Sequence, residues 1–276
     1  MTASAYSKRQ SGRYTRANGL DIYYEECGNG QPLLLIHGGA LTGDSWQPYL
    51  AAFAAHYRVI TPDSRGHGRT ANPTRDMSFG LLADDMVAFA RALDLQKPLI
   101  YGYSDGGQVA LEIGMRYPDL PHALVVGGAH LEITEGSLRW VRSILGDAQS
   151  PDVDTERFER ENPDFAAMLQ RIHGDGQANW KALLRQIKPM WNARLNYTPD
   201  DFIRVAAPTL VLVGDRDEFV PVEDAVAMYR LLPRAELAVV PGADHTDLIF
   251  SKAQIEVAQR SLLDFLLRHG DSDGQN

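Results

Sequence analysis

The sequence predicts an α/β protein with a mostly parallel central sheet flanked by helices. Short apolar runs of strand length alternate along the chain with longer segments in which apolar residues recur every three or four positions. A glycine-rich turn at residues 102–107 also joins one apolar run directly to a helical segment. Because parallel strands need long, usually helical crossovers, this alternation indicates strand–helix–strand units within one sheet.

Seven strands are predicted. Residues 20–26 alternate between apolar and polar side chains, as a half-buried strand does, whereas residues 32–36 form a continuous apolar run typical of a strand covered on both faces. The other five strands are predicted at residues 58–61, 98–101, 123–126, 209–213 and 236–240.

Amphipathic helices connect these strands. The clearest covers residues 78–93, where the apolar residues of one face are Leu81, Leu82, Met86, Phe89 and Leu93. Further helices are predicted at residues 46–57, from residue 108 onward, and at 136–145, 154–161, 164–172, 179–190, 222–231 and 251–267.

The segment 130–205 contains helical patterns and no strand-like run. We therefore divide the chain into a first part of the α/β core (1–129), a helical lid inserted after the strand at 123–126 (130–205) and a second part of the core (206–269). The polar residues 270–276 are expected to be a disordered tail. An insertion at this point is expected to cover the carboxyl ends of the strands, where open α/β sheets bind ligands.

The composition excludes several classes of protein. The 276 residues carry 27 Lys and Arg against 36 Asp and Glu, a net charge of −9, which argues against nucleic-acid or anionic-membrane partners. No apolar run approaches a membrane span, and the N-terminus lacks a secretory pattern, so a cytoplasmic location is expected. The single cysteine, Cys27, excludes an internal disulfide and a thiolate zinc site. No metal or cofactor is expected, and the chain is expected to be a monomer or a homodimer.

The turn at residues 102–107 carries a candidate nucleophile, Ser104. It has the pattern Gly-x-Ser-x-Gly between a predicted strand and a predicted helix, the context of a nucleophile elbow. The glycines allow a turn too tight for side chains, and the start of the helix supplies unpaired N–H groups that favour developing negative charge.

A serine hydroxyl needs a base within hydrogen-bond reach and an acid that orients the base. His245 is the preferred base, because it lies in a turn directly after the last strand. Asp217 is the preferred acid, three residues past the glycine that ends the strand at 209–213. Asp215 is the competing acid, with turn capping as its alternative role.

A tetrahedral oxyanion needs two backbone N–H donors. One is expected from Asp105, the residue after the nucleophile. The other is expected from Gly39 in the His-Gly-Gly turn after strand 32–36, with Ala40 as the alternative. Ala40 is also a candidate for substrate contact, as are His130 and Trp191 at or in the lid. The lid also contains His173, which could contact the substrate. Its aromatic residues either line the substrate pocket or pack the lid onto the core.

Five motifs in this order resemble those of the α/β-hydrolase superfamily. They lie at residues 37–39, 63–70, 102–106, 214–217 and 241–245, and the resemblance extends from about residue 20 to 267. It implies the α/β-hydrolase fold with the nucleophile, acid and base in the order Ser104, Asp217, His245. Superfamily members with aspartate at the nucleophile position are dehalogenases or epoxide hydrolases, so Ser104 argues against those activities.

The elbow Gly-Tyr-Ser-Asp-Gly-Gly is similar to that of the biphenyl-hydrolase-like, or valacyclovirase-like, amino-acid ester hydrolases. That resemblance implies that Asp105 lies near the α-ammonium group of a substrate. The alternative is that Asp105 only complements the dipole of the helix it begins.

We therefore expect a serine hydrolase acting on a small or medium carboxylic ester, with amino-acid esters as one candidate class. Its expected partner is that small-molecule substrate. Alternatives with the same triad are a C–C bond hydrolase of the meta-cleavage type, a lactonase, and an amidase or iminopeptidase. An alternative of another class is a small-molecule receptor with slow turnover, because this fold hosts many functions.

Overall fold

In a computed structural model of the protein, which describes residues 12–174 and 179–270, eight strands form one sheet. The strands are β1 Arg13–Ala17, β2 Leu20–Cys27, β3 Pro32–Ile36, β4 Arg58–Pro62, β5 Leu99–Tyr103, β6 Ala123–Gly127, β7 Thr209–Gly214 and β8 Ala235–Val240. Their order in the sheet is β1-β2-β4-β3-β5-β6-β7-β8. β2 pairs antiparallel with β1 and β4, and the other pairs are parallel. The predicted mostly parallel sheet is confirmed.

Helices cover both faces of this sheet. They are α1 Gln47–Phe53, α2 Phe79–Ala92, α3 Asp105–Arg116, α4 Glu135–Leu145, α5 Thr155–Glu161, α6 Pro163–His173, α7 Trp180–Trp191, α8 Pro199–Ile203, α9 Val222–Leu231, α10 Asp247–Phe250 and α11 Lys252–His269. The long, strongly periodic helices were predicted to within a few residues. Among the described residues, no helix is long and apolar enough to cross a membrane.

Some elements differ from the sequence predictions. Strand β1 was not predicted, because its sequence RYTRA is polar and its side chains are mostly exposed or half-buried at the edge of the sheet. The single helix predicted at 46–57 is a 3-10 turn at Gly43–Trp46 followed by α1, which has proline in its first turn. The short helices α8 and α10 were also missed. All but Gly270 of the predicted tail 270–276 lies outside the described residues.

The central strands explain why the sheet is stable. Successive side chains of β3 point to opposite faces, so that Leu34 packs into one hydrophobic cluster and Leu33 into the other. Ile100 and Leu99 of β5 divide in the same way. These side chains are almost fully buried, and each buried aliphatic side chain contributes about 1.5–3 kcal/mol through its transfer from water.

Helices α4 to α8 lie between β6 and β7 in the chain, and we refer to them as the helical insertion. Their aromatic side chains pack on one another, as Phe158 does with Phe165 and Trp180. Residues of α4, α6 and α7 also line a cavity together with the loops that follow β3, β5, β6, β7 and β8. The loops after these parallel strands meet at one edge of the sheet, which brings distant parts of the sequence to a single site.

Candidate active site

Ser104 lies at the turn between β5 and α3 in a strained conformation. Its φ of 58° and ψ of −122° are rarely adopted by residues other than glycine. A Cβ atom on Gly102 would lie 1.8 Å from the carbonyl oxygen of Gly106, and one on Gly106 would lie 2.0 Å from that of Ile36. The glycines of the motif are therefore required by the close approach of neighbouring backbone, which lets the turn present the Ser104 hydroxyl to the cavity.

Ser104, His245 and Asp217 form a hydrogen-bonded chain. His245 Nε2 lies 2.9 Å from Ser104 Oγ, and His245 Nδ1 lies 2.7 Å from Asp217 Oδ2. The other carboxylate oxygen of Asp217 accepts the backbone N–H groups of Phe219 and Val220 at 2.9 and 2.8 Å. The Asp217 side chain is fully buried, so it is fixed in position and directs the tautomer of His245.

Two aromatic side chains hold the His245 ring. The Tyr103 hydroxyl donates a 2.8 Å hydrogen bond to the His245 carbonyl oxygen, and the two rings are 5.4 Å apart. The Phe219 ring meets the imidazole edge-on at 5.1 Å. Sequence reasoning did not single out either residue for this role, although Tyr103 precedes Ser104 and Phe219 follows Asp217 by two residues.

Asp215 has a different partner. Its Oδ1 accepts the backbone N–H of Gly242 at 2.5 Å, which ties the loop after β7 to the turn after β8. This contact corresponds to the turn-capping role that the sequence left open for Asp215. Of the two aspartates, Asp217 lies within hydrogen-bond distance of His245.

The turn after β3 brings Gly39 beside Asp105, the first residue of α3. A Cβ atom on Gly39 would lie 2.2 Å from Asp105 Oδ2 and 2.6 Å from Trp191 Cζ2, so this position has room only for glycine. The N–H of Asp105 lies at the start of a helix, where no intrahelical acceptor exists. Among the described residues, the N–H of Gly39 has no hydrogen-bond partner either.

Ala40, the alternative donor, faces away from the cavity. It adopts a left-handed φ of 58° and is buried. Its N–H donates to His67 Nε2 at 3.2 Å, and its carbonyl oxygen accepts from His173 Nε2 at 3.0 Å. Ala40 and His173 are therefore absent from the cavity wall, where the sequence analysis expected contact with a substrate.

The Asp105 carboxylate lies in the cavity wall, where Trp191 Nε1 donates a 2.8 Å hydrogen bond to Oδ2. Burial raises the pKa of Asp105 to about 6, because desolvation disfavours the charged form. The Trp191 hydrogen bond and the nearby His245 act against this increase. Above about pH 6, Asp105 therefore carries a negative charge. This poorly solvated carboxylate lies beside the candidate nucleophile.

The cavity has a volume of about 580 Å³, enough for a small or medium organic molecule. Most of its wall is apolar or aromatic, with contributions from Leu41, Phe79, Ile133, Trp140, Val141, Phe165, Met168, Trp191, Phe219, Ile249 and Phe250. Its charged residues are Asp105, Asp164 and Glu218, and none of the described residues that line it is a lysine or an arginine. The cavity therefore favours neutral or cationic ligands over anionic ones.

His130, a candidate substrate contact from the sequence, lies in the cavity wall. Its backbone N–H donates to Gln108 Oε1 at 3.2 Å, and its buried Nδ1 has no partner among the described residues. Desolvation, together with repulsion from His245, lowers the pKa of His130 to about 4, so the imidazole is neutral at neutral pH.

Among the residues that the structure describes, no cluster of three or more His, Cys, Asp and Glu side chains could hold a metal ion.

Sequence comparisons assign this architecture to a family. Residues 33–260 match the model of the alpha/beta hydrolase family. The chain is 29% identical over 282 residues to a 2-hydroxy-6-oxo-6-(2'-aminophenyl)hexa-2,4-dienoic acid hydrolase of Metapseudomonas resinovorans, covering 94% of this chain and 92% of that protein. It is 30% identical over 271 residues to a non-heme chloroperoxidase of Kitasatospora aureofaciens, covering 91% and 98%.

Solved structures agree with the sequence relatives. A serine hydrolase involved in carbazole degradation superposes with a TM-score of 0.73 at 28% identity, covering 94% of this chain and 99% of that one. A thermophilic esterase from Thermogutta terrifontis superposes with the same TM-score at 23% identity, covering 96% and 100%, which is a similarity of fold. The chain belongs to the alpha/beta hydrolase family.

Proposed function

We propose that this protein is a serine hydrolase that cleaves small or medium carboxylic esters whose acyl part is neutral or cationic. The observation that carries the proposal is the continuous chain from Ser104 Oγ through His245 to the buried Asp217, with spacings of 2.9 and 2.7 Å. This chain opens into an apolar cavity of substrate size.

The residues allow a two-step acyl transfer. Ser104 Oγ attacks the ester carbonyl while His245 Nε2 takes its proton, and the N–H groups of Asp105 and Gly39 stabilise the oxyanion. The tetrahedral intermediate collapses and the alcohol leaves with the proton from His245. Water, deprotonated by His245, then attacks the acyl-enzyme and releases the acid. Asp217 orients the imidazole and stabilises its cationic form throughout.

The charge of the cavity favours ester hydrolysis over C–C bond hydrolysis. The Metapseudomonas relative acts on a dienoic acid, which carries a carboxylate at neutral pH. Here Asp105, Asp164 and Glu218 would repel such a group, and no lysine or arginine among the described wall residues would hold it. The similarity in sequence nonetheless makes C–C bond hydrolysis the second candidate.

Asp105 supports a preference for a cationic acyl group. Its carboxylate accepts one hydrogen bond from Trp191, beside the position where the acyl carbonyl would be attacked. An ammonium group of a bound amino-acid ester would supply further donors and an opposite charge in a poorly solvated place. An aspartate that only complemented the helix dipole would not need a hydrogen bond from Trp191 of the helical insertion.

Hydrolysis of a matched panel by wild type and Ser104→Ala tests the proposal. The panel holds p-nitrophenyl esters of short acids, amino-acid benzyl esters, an aminoacyl p-nitroanilide and a vinylogous β-diketone carboxylate. We expect turnover of the esters that Ser104→Ala reduces by at least about 1,000-fold, since the nucleophile is lost. Ser143→Ala, whose hydroxyl bonds the Trp140 carbonyl outside the cavity, is expected to retain wild-type rates.

The outcomes separate the candidates. Ester turnover that survives Ser104→Ala would contradict the proposed nucleophile. Turnover confined to the diketone or the anilide would replace ester hydrolysis by C–C bond or amide hydrolysis. Stoichiometric acylation without turnover would favour the receptor alternative.

A further inference from the structure

Three buried histidines lie behind the turn that carries Gly39. They are His37, His67 and His173, each less than 5% exposed. The ring centroids of His37 and His67 are 5.0 Å apart, and those of His67 and His173 are 6.0 Å apart. The catalytic steps proposed above use none of them.

Each imidazole bridges a backbone carbonyl and a backbone N–H. His37 Nδ1 donates to the Gly38 carbonyl oxygen at 2.8 Å, and its Nε2 accepts the N–H of Ser64 at 2.9 Å. His67 Nδ1 donates to the carbonyl of Arg65 at 2.9 Å. Because each ring accepts an N–H with one nitrogen, that nitrogen must keep its lone pair, and all three rings are neutral in one fixed tautomer.

The bonds converge on the backbone of Ala40. Its N–H donates to His67 Nε2, and its carbonyl oxygen accepts from His173 Nε2 at 3.0 Å. His173 Nδ1 in turn accepts the N–H of Gly68 at 2.8 Å. Ala40 is held in a left-handed conformation that is unfavourable for alanine, so these two bonds stabilise a strained turn directly after Gly39.

His173 is the last residue of α6 and belongs to the helical insertion. The insertion makes a second contact at the same place through Trp191, which donates a hydrogen bond to Asp105 and lies so close to Gly39 that an added Cβ atom would be 2.6 Å from its Cζ2. The insertion therefore reaches both proposed oxyanion donors. Trp191 contacts Asp105 and Gly39, and His173 bonds the residue that follows Gly39.

We propose that His173 is a positioning residue for the oxyanion hole, through which the helical insertion fixes the turn that carries the Gly39 N–H. The inference rests on the proposed function, because it takes that N–H as an oxyanion donor. Removing the hydrogen bond from His173 to Ala40 lets the turn relax. The transition state is then destabilised, whereas ground-state binding in the apolar cavity is retained.

His173→Phe, which fills the space without either hydrogen bond, is the test. We expect kcat for the preferred ester to fall at least tenfold with KM within about twofold of wild type, because an oxyanion-hole donor alone is worth 10²- to 10³-fold. Affinity for a trifluoromethyl ketone, whose carbonyl oxygen becomes an oxyanion when Ser104 Oγ adds to it, should fall by a similar factor. His173→Gln, which keeps a donor and an acceptor, should recover most of both losses.

Trp180→Phe is the matched control. It removes a 2.7 Å hydrogen bond to Gln170 inside the insertion and leaves the turn untouched, so it should lower the melting temperature without lowering kcat. An equal loss of kcat in Trp180→Phe would overturn the inference. It would also be overturned if His173→Phe changed only the stability or KM and left kcat at the wild-type value. If His173→Phe does not fold, wild-type NMR decides: the His173 Nε2 proton should shift when the ketone binds, and an unchanged signal would overturn the inference.

The test separates the inference from the proposed function. If Ser104→Ala abolishes hydrolysis while His173→Phe leaves kcat and ketone affinity unchanged, only the inference fails. If Ser104→Ala leaves hydrolysis intact, the proposed function fails first.

Discussion

Trp191 Nε1 donates a 2.8 Å hydrogen bond to Oδ2 of Asp105, which joins the helical insertion to the residue that follows the candidate nucleophile. The same indole lies so close to Gly39 that a Cβ atom added there would be 2.6 Å from Trp191 Cζ2. Its ring also packs with Trp140, whose ring meets Phe219, and Phe219 meets His245. The insertion therefore contributes to the wall of the cavity and contacts the reacting region directly.

Replacing Asp105 with asparagine should change substrate preference. The amide keeps an acceptor for Trp191 but removes the charge, so we expect kcat/KM for an amino-acid benzyl ester to fall about 10- to 100-fold. The matching benzyl ester without the amine should stay within about threefold, since its recognition is apolar. Steady-state kinetics on both esters measure the change, and equal losses on the two would contradict an ammonium-binding role.

The charge of Asp105 also predicts a pH dependence. Because its pKa is raised to about 6, the carboxylate is charged above that pH and becomes neutral as the pH falls through it. The preference for a trimethylammonioacetyl ester over its neutral 3,3-dimethylbutanoyl isostere should therefore be largest above pH 7 and decrease towards pH 5. The ratio of the two kcat/KM values cancels the pH effects on catalytic steps that both substrates share. A ratio that stays constant over this range would argue against contact with Asp105.

Gly39→Ala should impair catalysis more than folding. The new Cβ atom would lie 2.2 Å from Asp105 Oδ2 and 2.6 Å from Trp191, so the turn or both side chains must move. Displacement of the N–H from the oxyanion should lower kcat by about 100-fold or more. Gly136→Ala is the control, because its nearest neighbouring atom, Thr134 Oγ1, lies 3.5 Å away in ordinary contact. Equal activity of the two variants would show that Gly39 is not a donor.

The buried histidines predict acid sensitivity of the fold. Desolvation lowers the pKa of His173 from 6.5 to about 4. Between pH 6.5 and pH 4 the unfolded chain therefore binds a proton at this residue that the folded chain does not. The stabilising contribution is complete above pH 6.5 and is lost as the pH falls towards 4. At about 1.4 kcal/mol per pKa unit, it is on the order of 3 kcal/mol.

Urea unfolding at pH 8 and pH 5 measures this contribution. His173→Gln cannot titrate, so its free energy of unfolding should fall less between these pH values than that of the wild type. His37 and His67 have lowered pKa values for the same reason and remain in the variant, which should therefore retain part of the dependence. An equal pH dependence of variant and wild type would contradict the assignment to His173.

The fold could be predicted from local patterns. The run PLLLI of β3 is buried almost throughout, and such a run has few alternatives to a central strand. The elbow was predictable because its glycines are required by backbone contacts within a few residues, as between Gly102 and Gly106. Strand β1 was not predictable, since it forms on an edge by pairing with β2 and its own sequence is polar.

The sequence by itself determined the order of strands and helices, the tight turn at Ser104 and the residue types able to act with it, because these depend on neighbours close in the chain. Only the tertiary structure decided which side chains meet. Ser104 and His245 are 141 positions apart, yet their reactive atoms lie within 2.9 Å. His173 and Ala40, 133 positions apart, share a hydrogen bond that no local pattern indicated. Such contacts arise because parallel strands bring the loops at their carboxyl ends to one edge, where the insertion packs over them.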